Sequence, residues 1–109
     1  MKIINLGRGQ GKTMRLLYAS EWQHIPILCA NSMQKRWLVD KSKELGLQIP
    51  EPIMVSDVVS NEFTKSAIRD KDILVDEAPM ILQFLLSALG MKGEVKAIAL
   101  TSDELKQEI

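Results

Sequence analysis

Apolar residues fall along this chain in short unbroken runs, and between the runs they recur at helical spacing. Ile3-Ile4-Asn5-Leu6 ends at a glycine cluster and predicts a buried strand, with Gly7 to Gly11 as the loop behind it. From Lys12 to Gln23, Met14, Leu17 and Tyr18 repeat with the period of a helix, and Trp22 reads as a core residue. Pro26 to Ala30 predicts a second strand. Asn31 or Ser32 then caps a helix carrying Met33, Trp37, Leu38 and Leu45, which stops at Gly46. Pro52 to Val55 is a third, weaker strand, and Ser56 opens a short helix with Val58, Val59 and Phe63. Asp72 to Asp76 predicts a fourth strand. Pro79 suits the first turn of the next helix and Gly90 its end. Val95 to Leu100 predicts a fifth strand, and Thr101 with Glu104 has capping-box spacing for a final short helix.

Strands alternating with helices imply right-handed βαβ crossovers and a parallel sheet. The runs are apolar rather than alternating, as in a sheet covered on both faces. The expected fold is therefore α/β, a three-layer α/β/α core of about five mainly parallel strands, in one domain over residues 1–109. Ligands in such sheets bind at the carboxyl ends of the strands.

Composition narrows this only a little. Fourteen Lys and Arg against 14 Asp and Glu give no net charge, so a grip on nucleic acid would need a local patch. The same neutrality gives little repulsion between copies. Cys29 is the single cysteine, in an apolar run, and reads as a small core residue. No apolar stretch reaches membrane-spanning length and residues 1–6 do not form a signal peptide, so a cytosolic location is the default expectation.

Two segments carry chemistry, and each falls at a strand's carboxyl end. The first is Gly7-Arg8-Gly9-Gln10-Gly11-Lys12-Thr13, followed by Met14. Glycines allow successive backbone N–H groups to turn inward around a phosphate, and the helix start behind them adds partial positive charge. Lys12 would reach the β- and γ-phosphates, and the Thr13 hydroxyl would ligate Mg²⁺. Leu6 stands where the usual pattern begins with glycine. A plain glycine turn explains the glycines but not Lys12-Thr13 at the helix start. The second segment is Ile73-Leu74-Val75-Asp76-Glu77, an apolar strand delivering two carboxylates. Asp76 would hold Mg²⁺ through water and Glu77 would polarise the attacking water. Two solvated loop acids would look the same in isolation. Thr101 and Ser102, after the last apolar run, are equally suited to sensing a γ-phosphate and to capping a helix.

These stations together resemble the P-loop ATPases with an additional strand and a catalytic glutamate, a group that includes helicases, AAA-type ATPases and viral packaging motors. The phosphate loop and Val75-Asp76-Glu77-Ala78 look most like the ATPase of phage large terminase subunits. That resemblance implies Mg-ATP as ligand and DNA or RNA as a partner, with the host cytoplasm as location. It gives Arg8 the role of a charge-stabilising residue beside Lys12 and Glu77, and it sets the 95–100 strand between the phosphate-loop strand and the acidic strand. Ile27 to Ser32 is a loose match to a segment that couples those families to nucleic acid. The chain departs from them in its small size, in lacking a nuclease domain, and in offering no arginine finger besides Arg8. A nucleotide-binding module without turnover, or a small nucleotide kinase, is compatible with the same loop, although no arginine-rich lid is present.

Two surfaces suggest partners. The 79–89 helix is apolar almost all round (Met80, Ile81, Leu82, Phe84, Leu85, Leu86, Leu89), so it is either deeply buried or meets a partner. Full burial is hard in a domain this small, which favours a homo-oligomer or protein contact there. Lys35, Arg36, Lys41 and Lys43 surround Trp37, but Asp40 and Glu44 dilute the charge. That region reads better as a solvated face over a buried Trp37 than as a nucleic-acid groove. His24 has no metal partners in sequence and receives no chemistry.

Overall fold

The computed structural model describes residues 11–97, and these form a small α/β domain. In chain order its elements are α1 (Lys12–Gln23), β1 (Ile27–Cys29), α2 (Ser32–Glu44), β2 (Ile53–Met54), α3 (Val55–Ser60), α4 (Glu62–Ile68), β3 (Leu74–Val75) and α5 (Ala78–Ala88). The predicted strand at Ile3–Leu6 lies outside the described residues, as do residues 98–100 of the predicted strand at 95–100. Residues 95–97 are not in a strand. Instead the Val95 N–H donates to Gln83 Oε1 at 2.6 Å, and Gln83 Nε2 donates to the Gly93 carbonyl at 3.1 Å. A side chain of α5 thus takes up backbone groups that a strand partner would otherwise satisfy.

The sheet is parallel, with β1 in the centre and the order β2-β1-β3. Leu28 lies opposite Ile53 on one side and Val75 on the other. Successive strand residues point to opposite faces, and the packing follows that alternation. Ile27 and Cys29 join Leu16 and Leu17 of α1 and Leu38 of α2 in one buried cluster. Leu28 joins Val55 of α3 and Ile81 of α5 in a second. Helices therefore cover both faces of β1, which explains why its run reads as continuously apolar.

Helix ends follow local chemistry. Asn31 caps α2 by accepting the Gln34 N–H at 2.9 Å. Gly46 and Gly90 close α2 and α5 with paired bonds: Leu47 N–H to Ser42 C=O with Gly46 N–H to Lys43 C=O, and Met91 N–H to Leu86 C=O with Gly90 N–H to Ser87 C=O. Both glycines hold the positive φ that this closure needs. The single helix expected from Ser56 through Phe63 is instead two. Asn61 breaks it with an extended backbone and caps α4 by accepting the Phe63 and Thr64 N–H groups.

Several expected core residues face outward. In α1 the buried stripe is Leu16, Leu17, Ala19 and Ser20, which turns Tyr18 away and leaves Trp22 85% exposed. Ser20 belongs to the stripe because its hydroxyl donates to the Ile25 carbonyl at 2.6 Å, so its burial leaves no polar group unpaired. Trp37 is half exposed rather than buried, and Met33 and Phe63 are exposed. On the same helix as Trp37, Lys35 pairs with Glu51 and Lys41 with Glu44. Only Ile81 of α5 is fully buried, while Met80, Leu82 and Phe84 of that helix and Leu89 just after it are exposed. No helix among the described residues is long and apolar enough to cross a membrane.

Candidate functional site

The site is assembled from the start of α1, the end of β3 and the start of α2. Gly11 caps α1 with φ 79° and ψ 19°, a left-handed conformation that L side chains rarely adopt. A Cβ there would meet nothing within 4 Å, so backbone conformation and not space calls for glycine. Lys12, Thr13 and Met14 form the first turn, ahead of the Arg15 N–H to Gly11 C=O bond. Their N–H groups belong to the end of a helix that carries partial positive charge. Met14 packs its side chain on the core cluster of Leu16, Leu17, Ile27, Cys29 and Leu38, which leaves its backbone N–H as its contribution to the helix start.

Across the sheet, the ladder carries β3 to Asp76, whose N–H donates to the Leu28 carbonyl at 3.2 Å. That bond fixes Asp76 at the strand's carboxyl end. Thr13 Oγ1 lies 3.5 Å from Asp76 Oδ1 and 3.4 Å from Oδ2, although 63 residues separate them in sequence. Asp76 is 4% exposed. Burial raises its carboxyl above the ordinary Asp value, and the neighbouring Glu77 charge raises it further; the Thr13 hydroxyl, the Glu77 N–H and Lys12 oppose the shift. Glu77 begins α5 with φ 56° and ψ 53° and makes no side-chain cap bond. Among the described residues it and His24 are the non-glycine positions with positive φ. An acidic side chain held in the left-handed region at a strand end is a local strain that the fold sustains.

Gln34 is the site residue that the sequence pattern did not single out. Its Oε1 accepts the Ala30 N–H at 2.6 Å and its Nε2 donates to Asp76 Oδ2 at 3.3 Å. The signal was present in Asn31-x-x-Gln34, whose spacing lets a Gln at the third helical position reach back to the chain before the helix. Its partner 42 residues away was not legible. Cys29, close by, is a core thiol: burial pushes its pKa up, and its Sγ is 3.5 Å from the Ile53 carbonyl.

The structure therefore brings Thr13 and Asp76 together, with Lys12 and Glu77 adjoining them. Gly7, Arg8, Gly9, Gln10, Thr101 and Ser102 lie outside the described residues. No family model, curated protein or solved structure matches the chain. The functional reading therefore rests on these residues and their geometry.

Thr13 and Asp76 could hold a hard divalent cation only as part of a larger ligand set. Among the described residues no group of three or more His, Cys, Asp or Glu could hold an ion with protein ligands. An ion at Thr13 and Asp76 would take most of its ligands from water and phosphate, which is how Mg²⁺ is commonly bound. Both side chains offer hard oxygens. Asp76 is a buried carboxylate whose charge a cation would relieve.

Proposed function

We propose that the chain is a minimal P-loop ATPase that binds Mg-ATP between the start of α1 and the end of β3. The observation that carries the reading is the approach of Thr13 to Asp76. A hydroxyl following the lysine of a glycine-rich loop meets a buried carboxylate 63 residues later. A glycine turn and a solvated acidic loop, unrelated to one another, give no reason for that meeting.

In this reading the first-turn N–H groups of α1 and those of Gly7 to Gly11 hold the phosphates, and Lys12 neutralises charge on the β- and γ-oxygens. Thr13 and Asp76 are the residues that would hold Mg²⁺, and the ion would supply neutralising charge at the phosphates. Glu77 orients a water for in-line attack on the γ-phosphorus and accepts its proton, while the β–γ bridging oxygen leaves with ADP. Arg8 would add positive charge to the transferring group, and Thr101 or Ser102 would sense its γ-phosphate. Five mainly parallel strands in a three-layer core complete the proposed fold. Among the described residues β3 pairs on one side only, with β1, and Val75 is partly exposed. Its other edge is therefore open to the further strands this fold requires. DNA or RNA is the proposed partner of the turnover cycle.

Glu77→Gln tests the assignment. It is expected to keep Mg-ATP binding and to lower hydrolysis at least a hundredfold, the typical contribution of a general base being about two to four orders of magnitude. Binding without measurable hydrolysis by the wild-type chain, with and without DNA or RNA, would favour a module that does not turn over. Phosphoryl transfer to a nucleoside acceptor would make it a kinase.

A further inference from the structure

We infer that Gln34 is a positioning residue for Asp76, holding the carboxylate ready for Mg-nucleotide; this rests on the nucleotide-binding reading above. Three observations carry it. First, the orientation of the carboxamide is settled by chemistry. The Ala30 N–H can only donate, so the Gln34 atom 2.6 Å from it is the oxygen, and the NH₂ faces Asp76 Oδ2 at 3.3 Å. Second, Gln34 is itself anchored. Its own N–H donates to Asn31 Oδ1 at 2.9 Å, so both its main chain and its side chain are tied to the β1–α2 connection. Third, Asp76 needs the donor. It is buried and repelled by Glu77, and Thr13 reaches both of its oxygens only at long distances. An amide donor fixed to the β1–α2 connection restricts the rotation of that carboxylate. It does so without adding a charge that would compete with a cation.

The arrangement makes Gln34 the link between the acidic strand and α2. Gln34 touches Asp76, not phosphate or the attacking water, so it acts through Asp76. Removing it should leave phosphate contacts intact and weaken the Mg²⁺-dependent part of binding.

The test compares Gln34→Ala with Asn31→Ala by titrating ATP calorimetrically over a series of Mg²⁺ concentrations. Both substitutions remove support from the first turn of α2, but only the first removes the donor to Asp76. Gln34→Ala is expected to raise the Mg²⁺ concentration for half-maximal ATP affinity about tenfold, the low end for a hydrogen bond to a charged group. Asn31→Ala should leave it within about twofold while lowering thermal stability comparably. In the wild type, the Gln34 side-chain NH₂ resonances should shift when Mg²⁺ is added to protein already holding ATP. An unchanged Mg²⁺ requirement in Gln34→Ala, with Mg-ATP still bound, would overturn the inference and leave the ATPase reading standing. Equal changes in both variants would reduce Gln34 to a helix cap. Absence of Mg-ATP binding by the wild type would overturn the reading and the inference together.

Discussion

Replacing Glu77 by glycine should make the protein more stable and catalytically inert. Glu77 occupies φ 56°, ψ 53°, and an L residue in the left-handed region costs about 1–2 kcal/mol. The structure gives its side chain no cap bond to lose, and its carbonyl would still accept the Met80 and Ile81 N–H groups. Glycine returns about 0.4–1 kcal/mol through the greater freedom of the unfolded chain. The net gain is on the order of 0.5–1 kcal/mol. Removing the charge that raises Asp76 acts in the same direction. For a domain of this size, each kcal/mol moves Tm by about 4–8 °C, so a rise of about 2–8 °C is expected in a scan without nucleotide. His24→Gly is the matching control, because His24 holds φ 57°, ψ 46° at the end of α1 and is not part of the proposed site. It should gain similar stability and keep any ATPase activity, whereas Glu77→Gly should lose hydrolysis. A lower Tm for Glu77→Gly would refute the strain argument. Undiminished hydrolysis would refute the catalytic one.

Two further outcomes follow from the same structure. The folded chain binds the Asp76 proton more tightly than the unfolded chain does, since burial and Glu77 raise this carboxyl. Without Mg-nucleotide, the Asp76 contribution to stability should therefore fall as pH rises from the ordinary Asp value through the raised one. Asp76→Asn should remove that dependence and be the more stable protein at neutral pH, measured by urea unfolding across pH; an unchanged pH profile would contradict it. The exposed apolar residues Met80, Leu82, Phe84 and Leu89 predict self-association through the 79–89 segment. Sedimentation should show an oligomer that Leu82→Glu with Phe84→Glu dissociates, and a wild-type monomer at every concentration would end that expectation.

The sequence was most informative where local chemistry decides structure. Gly46 and Gly90 end helices because the closing turn needs positive φ, and the strand positions are set by apolar runs, of which the β1 run is covered by helices on both faces. Strand lengths were overread: β1 to β3 are shorter than their apolar runs, which also supply caps and helix starts. Helical spacing alone did not choose the buried face of α1. Ser20, a polar residue, is buried through its bond to Ile25, and that rotates Trp22 into solvent. Asn61 split a helix by offering its side chain to two N–H groups. At the site, Lys12, Thr13, Asp76 and Glu77 were legible as residue types at meaningful positions. The meeting of Thr13 with Asp76 is a consequence of tertiary structure, and so is the reach of Gln34 across β1. No local pattern encodes either distance.

The central claim is that the start of α1 and the end of β3 form a Mg-nucleotide site, and calorimetric titration of Mg-ATP into the wild-type chain and into Lys12→Ala tests it most directly. The account predicts saturable binding by the wild type that Lys12→Ala loses. Absence of binding by the wild type, or equal binding by both proteins, would contradict it.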